Sequence, residues 1–104
     1  MYQLRFLPIA KQDMTDISQY ISHELCNPTA AEKLADEMIE AAERLTEFPY
    51  INAIHQTLKP LKYEYRKKFV KNYIIFYWVE EEEKTVTIAR VIFARRDYEG
   101  LIQS

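Results

Sequence analysis

The stretch "YEYRKKFVKNYIIFYWVEEEEKTVTIARVIF", residues 63–93, decides the fold. Tyr63–Val70 alternates, with Tyr63, Tyr65, Lys67 and Phe69 on one side and Glu64, Arg66, Lys68 and Val70 on the other. Such a period of two is that of a strand. Lys71-Asn72 reads as a tight turn, with Asn suited to positive φ. Tyr73–Val79 is apolar on both sides, as expected of a central strand covered on both faces. Glu80–Lys84 is a charged turn, and Thr85–Phe93 alternates again. Three consecutive strands with short turns predict an antiparallel meander.

Upstream the period changes. Ala10, Met14, Ile17, Ile21 and Leu25 are spaced 4, 3, 4 and 4 residues apart, one face of a helix. Asn27-Pro28 should end that helix and start the next, because the residue before proline avoids helical geometry. Asn caps well, and proline at the first helical position loses no needed donor. Ala31, Leu34, Met38, Ala41, Leu45 and Phe48 continue at helical spacing until Pro49. The joint is so short that the helices must form an antiparallel hairpin. Tyr2–Leu7 reads as a first strand closed by Pro8, and residues 50–62 as a loop. The expected fold is α+β, in the order β-α-α-β-β-β. It has an antiparallel sheet, a helical hairpin on one face, and a single domain over residues 1–104.

Composition narrows the function. Gly occurs once in 104 residues, which excludes glycine-rich phosphate loops. Cys26 is alone, so there is no internal disulfide and no cysteine-rich zinc site. His23 and His55 are isolated, and no serine lies in a nucleophile-elbow context. No cofactor or metal is expected. Glu80–Glu83 is a solvated turn rather than a catalytic cluster, since adjacent carboxylates repel. The N-terminus does not read as a signal peptide, and no apolar run approaches the roughly 20 residues that span a membrane. A cytoplasmic location is expected from this and from the free thiol.

The net charge of −2 hides a polarity. Residues 1–50 hold four Lys/Arg and nine Asp/Glu, and residues 51–104 hold ten and seven. Arg66, Lys67, Lys68, Arg90, Arg95 and Arg96 are interleaved with Tyr63, Tyr65, Tyr73, Tyr77, Trp78 and Tyr98. Such a surface stacks bases and neutralises phosphates, or anchors a protein partner. Arg95 and Arg96 either form a cationic edge beside the Arg66–Lys68 strand or brace the fold through Asp97 or a helix carboxylate.

The segment "YRKKFVKNYIIFYWVEEEEKTVTIARVIFARRDYEGLI" resembles the C-terminal half of the RelE/ParE toxins of bacterial type II toxin–antitoxin (plasmid stabilisation, or addiction) modules. The shared features are a basic second strand, Y-x-x-F-Y in the third, I-x-R-V in the fourth, and R-R-D after it. A helical hairpin ending in Phe48-Pro49 matches too. The resemblance implies one of two activities: inhibition of DNA gyrase by protein contact (ParE-like), or metal-independent cleavage of mRNA on the ribosome (RelE-like). The nuclease branch usually has arginine after the first Tyr of its third strand, and His or Lys near the end of the last. Here these are Ile74 and Phe93. R-V-x-x-x-R-R-D is closer to the ParE-like branch, so gyrase inhibition is the expected activity and no catalytic residues are assigned. If the chain is a nuclease, Arg66, Arg95, Arg96 and Tyr98 are the candidates. A further alternative is a non-toxic corepressor that only binds antitoxin. Target or nucleic-acid binding is expected of Arg66, Lys67, Lys68, Lys71, Arg90, Arg95 and Arg96. The resemblance also implies a cognate antitoxin, held by the region of Ile17, Ile21, Leu34 and Met38. A homodimer and a toxin–antitoxin hetero-oligomer both remain open.

Overall fold

The computed structural model describes residues 1–55 and 63–96. Strand β1 is Gln3–Phe6, helix α1 Pro8–Gln19 and helix α2 Pro28–Leu45, followed by β2 (Arg66–Val70), β3 (Tyr73–Glu80) and β4 (Thr85–Phe93). The predicted order and the meander of β2, β3 and β4 are present, with helices on one face.

The sheet is mixed rather than wholly antiparallel. Its order is β1-β4-β3-β2, and β1 runs parallel to β4 with Gln3 opposite Thr85 and Phe6 opposite Ile88. The path of the chain explains this. The two helices run out and back, so α2 ends beside the start of β1, where Tyr2 N–H donates to Thr46 C=O at 3.0 Å. β2 then runs in the same direction as β1, and two hairpin reversals leave β4 parallel to it.

The helical hairpin is capped as its sequence demands. Asn27 Oδ1 accepts from Ala30 N–H at 3.1 Å, and Pro28 occupies the first turn of α2. Two boundaries differ from the sequence pattern. Residues Tyr20–Glu24 form a π-helical turn, with Leu25 N–H reaching back to Tyr20 C=O. The wider turn keeps Ile21 in the core but rotates Leu25 to the surface. Helix α2 stops at Leu45, three residues before Phe48, which is therefore exposed.

The interior of β3 is covered on both faces, as its apolar sequence requires. Ile75 and Tyr77 meet Ala10, Met38, Ala42 and Leu45 beneath the helices. Ile74, Phe76 and Trp78 meet Tyr65, Ala89 and Ile92 on the other face. Each such aliphatic side chain is worth about 1.5–3 kcal/mol when fully buried. A bulge lets β4 serve both layers. Phe76 lies opposite Arg90 but Tyr77 opposite Ile88, so Ala89 is the extra residue. Ile88 and Val91 thereby both reach the helix side, despite their three-residue spacing. β2 begins at Arg66 rather than Tyr63. Tyr63 stacks flat on Trp78 instead, with centroids 3.8 Å apart and 3° between planes. No helix among the described residues is long and apolar enough to cross a membrane.

The β3–β4 tip is tied to the rest of the chain through Glu81. Its carboxylate accepts from Tyr2, Tyr50 and Lys84. The hydrogen bond from Lys84, then those from Tyr50 and Tyr2, hold the Glu81 carboxyl down at about 2 instead of 4.5. The same contact with Glu81, with burial second, pushes the Tyr50 phenol up to about 12 from 10.0. A carboxyl whose pKa is depressed on folding adds stability above its unfolded value, and that stability is lost as the pH falls through the folded value. Tyr50, raised on folding, adds stability below its unfolded value and loses it as the pH rises through the folded one. We expect Glu81→Gln to flatten the dependence of melting temperature on pH in the acid range below 4.5. It should also remove the alkaline loss attributable to Tyr50. Thermal scans of both proteins across the two ranges check this, and identical profiles would contradict it.

Candidate functional site

Two surfaces concentrate the residues singled out from the sequence. They are the end of the sheet around the β2–β3 turn and the adjoining groove beside the helical hairpin. Lys71 takes the positive φ of the turn, at 54°, where the sequence suggested Asn72. Phe93, the last residue of β4, lies opposite Tyr73 with ring centroids 5.6 Å apart. Ala94 N–H donates to Asn72 C=O at 2.8 Å, which closes this end of the sheet. Arg95 and Arg96 follow and are exposed, with no acid in ion-pair contact among the described residues. Lys71 Nζ lies 3.8 Å from Glu37 of α2.

The other predicted cations are dispersed. Arg66 is not beside Arg95 and Arg96. It lies opposite Tyr77, four positions along β2 from Val70 at the cationic end. A residue rises about 3.3 Å in a strand, so the separation along the sheet is roughly 13 Å. Arg66 Nη1 donates to Asn52 C=O at 2.7 Å, and its guanidinium sits 5.0 Å over the Tyr50 ring. A largely buried guanidinium held this way fixes the 49–52 loop. Lys68 pairs with Ile75 on the helix side, and Lys67 with Phe76 on the opposite side.

Arg90 is engaged by Asp13 of α1 through two bonds of 2.8 and 2.9 Å. The same carboxylate accepts from Val91 N–H at 2.9 Å. β1 ends at Phe6, opposite Ile88, so the outer edge of β4 beyond that point lacks a strand neighbour. Asp13 satisfies one of its backbone donors. The hydrogen bond with Asp13 raises the Arg90 pKa further above its ordinary value, against the opposing effect of burial. Sequence reading missed Asp13. The signal available was an acid set within the apolar stripe Ala10, Met14, Ile17.

Next to this edge lies a groove of about 550 Å³ whose apolar walls are Tyr20, Ile21, Leu25, Leu34, Tyr73 and Phe93. A second hollow of about 350 Å³ adjoins it, sharing Tyr20, Tyr73 and Phe93 and adding Ile17 and Arg96. Of the four hairpin residues proposed from sequence, Ile17, Ile21 and Leu34 line these hollows, whereas Met38 is 2% exposed and belongs to the core. Burial, then the nearby Tyr20, raises the pKa of Tyr73, so its phenol is neutral at physiological pH. Tyr98 lies outside the described residues. No group of three or more potential metal ligands occurs among the described residues.

The sequence profile described as "ParE toxin of type II toxin-antitoxin system, parDE" matches residues 4–98. The chain belongs to the ParE toxin family. With it, it belongs to the RelE/ParE superfamily. Its fold is similar to that of the chromosomal ParDE toxin–antitoxin system from P. aeruginosa. The TM-score is 0.73 at 18% identity, over 91% of this chain and 98% of that one. It is similar also to the RelBE2 toxin–antitoxin complex from Mycobacterium tuberculosis (TM-score 0.66, 18% identity, 88% and 96% covered). The isolated E. coli RelE toxin matches with a TM-score of 0.58 at 22% identity, over 93% and 88%. Among curated protein sequences none matches significantly.

The Asp13–Arg90 contact makes a stability prediction. Removing the carboxylate from a largely buried ion pair is destabilising, by up to about 3–5 kcal/mol. Asp13→Ala should lower stability by about that amount, with the loss of the Val91 contact included, while Asp16→Ala on the exposed turn should cost less than about 0.5 kcal/mol. Denaturant unfolding of both variants measures the difference. Equal stability would show that the pair does not hold α1 to the sheet.

Proposed function

We propose that this ParE-family chain is a toxin that inhibits DNA gyrase by protein–protein contact made through the cationic end of its sheet. The observation that carries the reading is the side-chain inventory at that end. Metal-free RNA cleavage requires a group to take the 2′-hydroxyl proton, cations for the phosphate and an acid for the leaving oxygen. After Tyr73 the strand continues with Ile74, which is 1% exposed, and β4 ends in Phe93. Arg66 is held at the other end by Asn52 and Tyr50. What remains there is Phe93, Arg95, Arg96 and Lys71, an aromatic anchor with neighbouring cations. Aromatic and arginine anchors are characteristic of protein interfaces.

One feature favours ribosome-dependent mRNA cleavage instead. Phe69 is exposed on the same face of the edge strand as Lys67, and an exposed aromatic beside a lysine suits base stacking and phosphate neutralisation. On that reading Arg95, Arg96 and Tyr98 supply the chemistry.

The antitoxin partner belongs to this proposal as well. The groove walled by Tyr20, Ile21, Leu25, Leu34, Tyr73 and Phe93 fits the apolar face of an amphipathic segment. The ParDE and RelBE2 structures to which this fold is similar are, by their descriptions, toxin–antitoxin assemblies.

A supercoiling assay with purified chain separates the readings. The wild-type protein should abolish gyrase supercoiling or accumulate cleaved DNA. A Phe93→Ala/Arg95→Ala/Arg96→Ala variant should lose the effect without a change in melting temperature. Untouched gyrase at saturating protein would overturn the proposal and direct the search to ribosome-bound mRNA. In cells, Arg95→Ala/Arg96→Ala should relieve growth arrest while folding is preserved. Exposed ion pairs contribute only about 0–1 kcal/mol, so bracing alone cannot explain a large loss of toxicity. Unfolding of that double variant would instead assign both arginines to bracing.

A further inference from the structure

The end of the molecule opposite the cationic site carries an apolar knob that the proposed function does not use. Phe48 is 60% exposed and Ile51 73%, in the loop that follows α2. The loop is not slack. Phe48 N–H bonds to Arg44 C=O and Ile51 N–H to Phe48 C=O. The buried Tyr77 hydroxyl donates to Pro49 C=O at 3.2 Å and accepts from Asn52 Nδ2 at 3.1 Å. Arg66 holds Asn52 C=O from below, and Tyr50 is hydrogen-bonded to Glu81. Six hydrogen bonds therefore hold the loop while two large apolar side chains are turned to solvent. Exposed apolar groups presented on a rigid scaffold mark a contact surface.

The rim of this surface is acidic. Glu47 is exposed within the loop, and Glu81, Glu82 and Glu83 form the adjacent hairpin tip. An occupant should therefore be apolar with a basic rim. The chain itself carries such a surface. Toward the far end of β3, opposite Ile74 and roughly 20 Å from Glu80 at about 3.3 Å per residue, Phe69 is 56% exposed. It shares its face of β2 with Lys67, and Lys71 follows in the turn, while Arg95 and Arg96 follow the end of β4 at the same end of the sheet. The two ends are complementary in charge, and each exposes a large apolar side chain.

We propose that this chain self-associates head to tail, the acidic knob of Phe48 and Ile51 seating on the basic Phe69 end of a second copy. The contact is heterologous, so each added copy leaves one free end of each kind and the assembly grows rather than closing at a dimer. A contact with few anchors and a charged rim is weak and salt-sensitive.

Sedimentation equilibrium of the purified chain tests it, with Ile51→Glu and Phe69→Glu as single variants. Both positions are exposed, and circular dichroism confirms that each variant is folded. The wild-type average mass should rise with concentration without levelling at two chains, and should fall in high salt. Each variant alone should be monomeric. An equimolar mixture should form a species of two chains and nothing larger, because Ile51→Glu keeps a working basic end and Phe69→Glu a working acidic end. A wild-type protein that stays monomeric up to its solubility limit overturns the proposal. So does a closed dimer that survives Phe69→Glu, or a mixture that does not associate.

Discussion

A phenol hydroxyl buried in the middle of a sheet has to find partners inside the protein, and the position of Tyr77 organises much of the chain around that need. Its ring is fully buried under the helices, and burial keeps the phenol protonated by raising its pKa. The hydroxyl reaches out of the sheet to Pro49 and Asn52, some 25 to 28 residues earlier. The loop after α2 is thereby laid against the start of β2. Arg66 then completes the arrangement by bonding Asn52. An unsatisfied buried hydroxyl costs about 1–3 kcal/mol, so the loop must follow the tyrosine rather than wander. The exit of the helical hairpin, the start of β2 and the acidic tip are all referred to one residue in the central strand.

Local features were legible in the sequence because local physics sets them. Asn27-Pro28 specified the helix joint through capping and the missing proline donor, and the doubly apolar Tyr73–Val79 run specified a covered strand. The direction of β1 was not legible. It depends on the two helices returning the chain to its starting end, which no residue of β1 encodes. The π-helical turn and the β4 bulge were hidden for a related reason. Each shifts a periodic pattern by one residue, so Leu25 falls at apolar spacing and yet lies at the surface, and Ile88 and Val91 share a face at a spacing of three.

The candidate site was legible in its composition but not in its geometry. A run of cations reads as one patch in sequence. Register divides it, with Arg66 on one end of β2 and Arg95 and Arg96 beyond the far end of β4. The partners that remove Arg66 and Arg90 from the surface are distant in sequence: Asn52 for the first and Asp13, 77 residues away, for the second. Arg95 and Arg96, by contrast, are exposed and have no acid in ion-pair contact among the described residues. Arginines that brace a fold and arginines that meet a target look identical until their acids are located.

The parallel pairing of β1 with β4 has a consequence for how this protein comes to exist. Gln3–Phe6 finds its only strand neighbour among the described residues at Thr85–Ile88, so the first strand synthesised waits for the last one. Contacts of such wide sequence separation are slow to form, because the loop entropy is lost before the pairing rewards it. Until residue 88 is available, the helical hairpin can form locally but has no complete sheet to cover. The cationic end is closed later still, when Ala94 reaches Asn72. A nascent chain therefore completes the cationic end of its sheet as one of its last folding events.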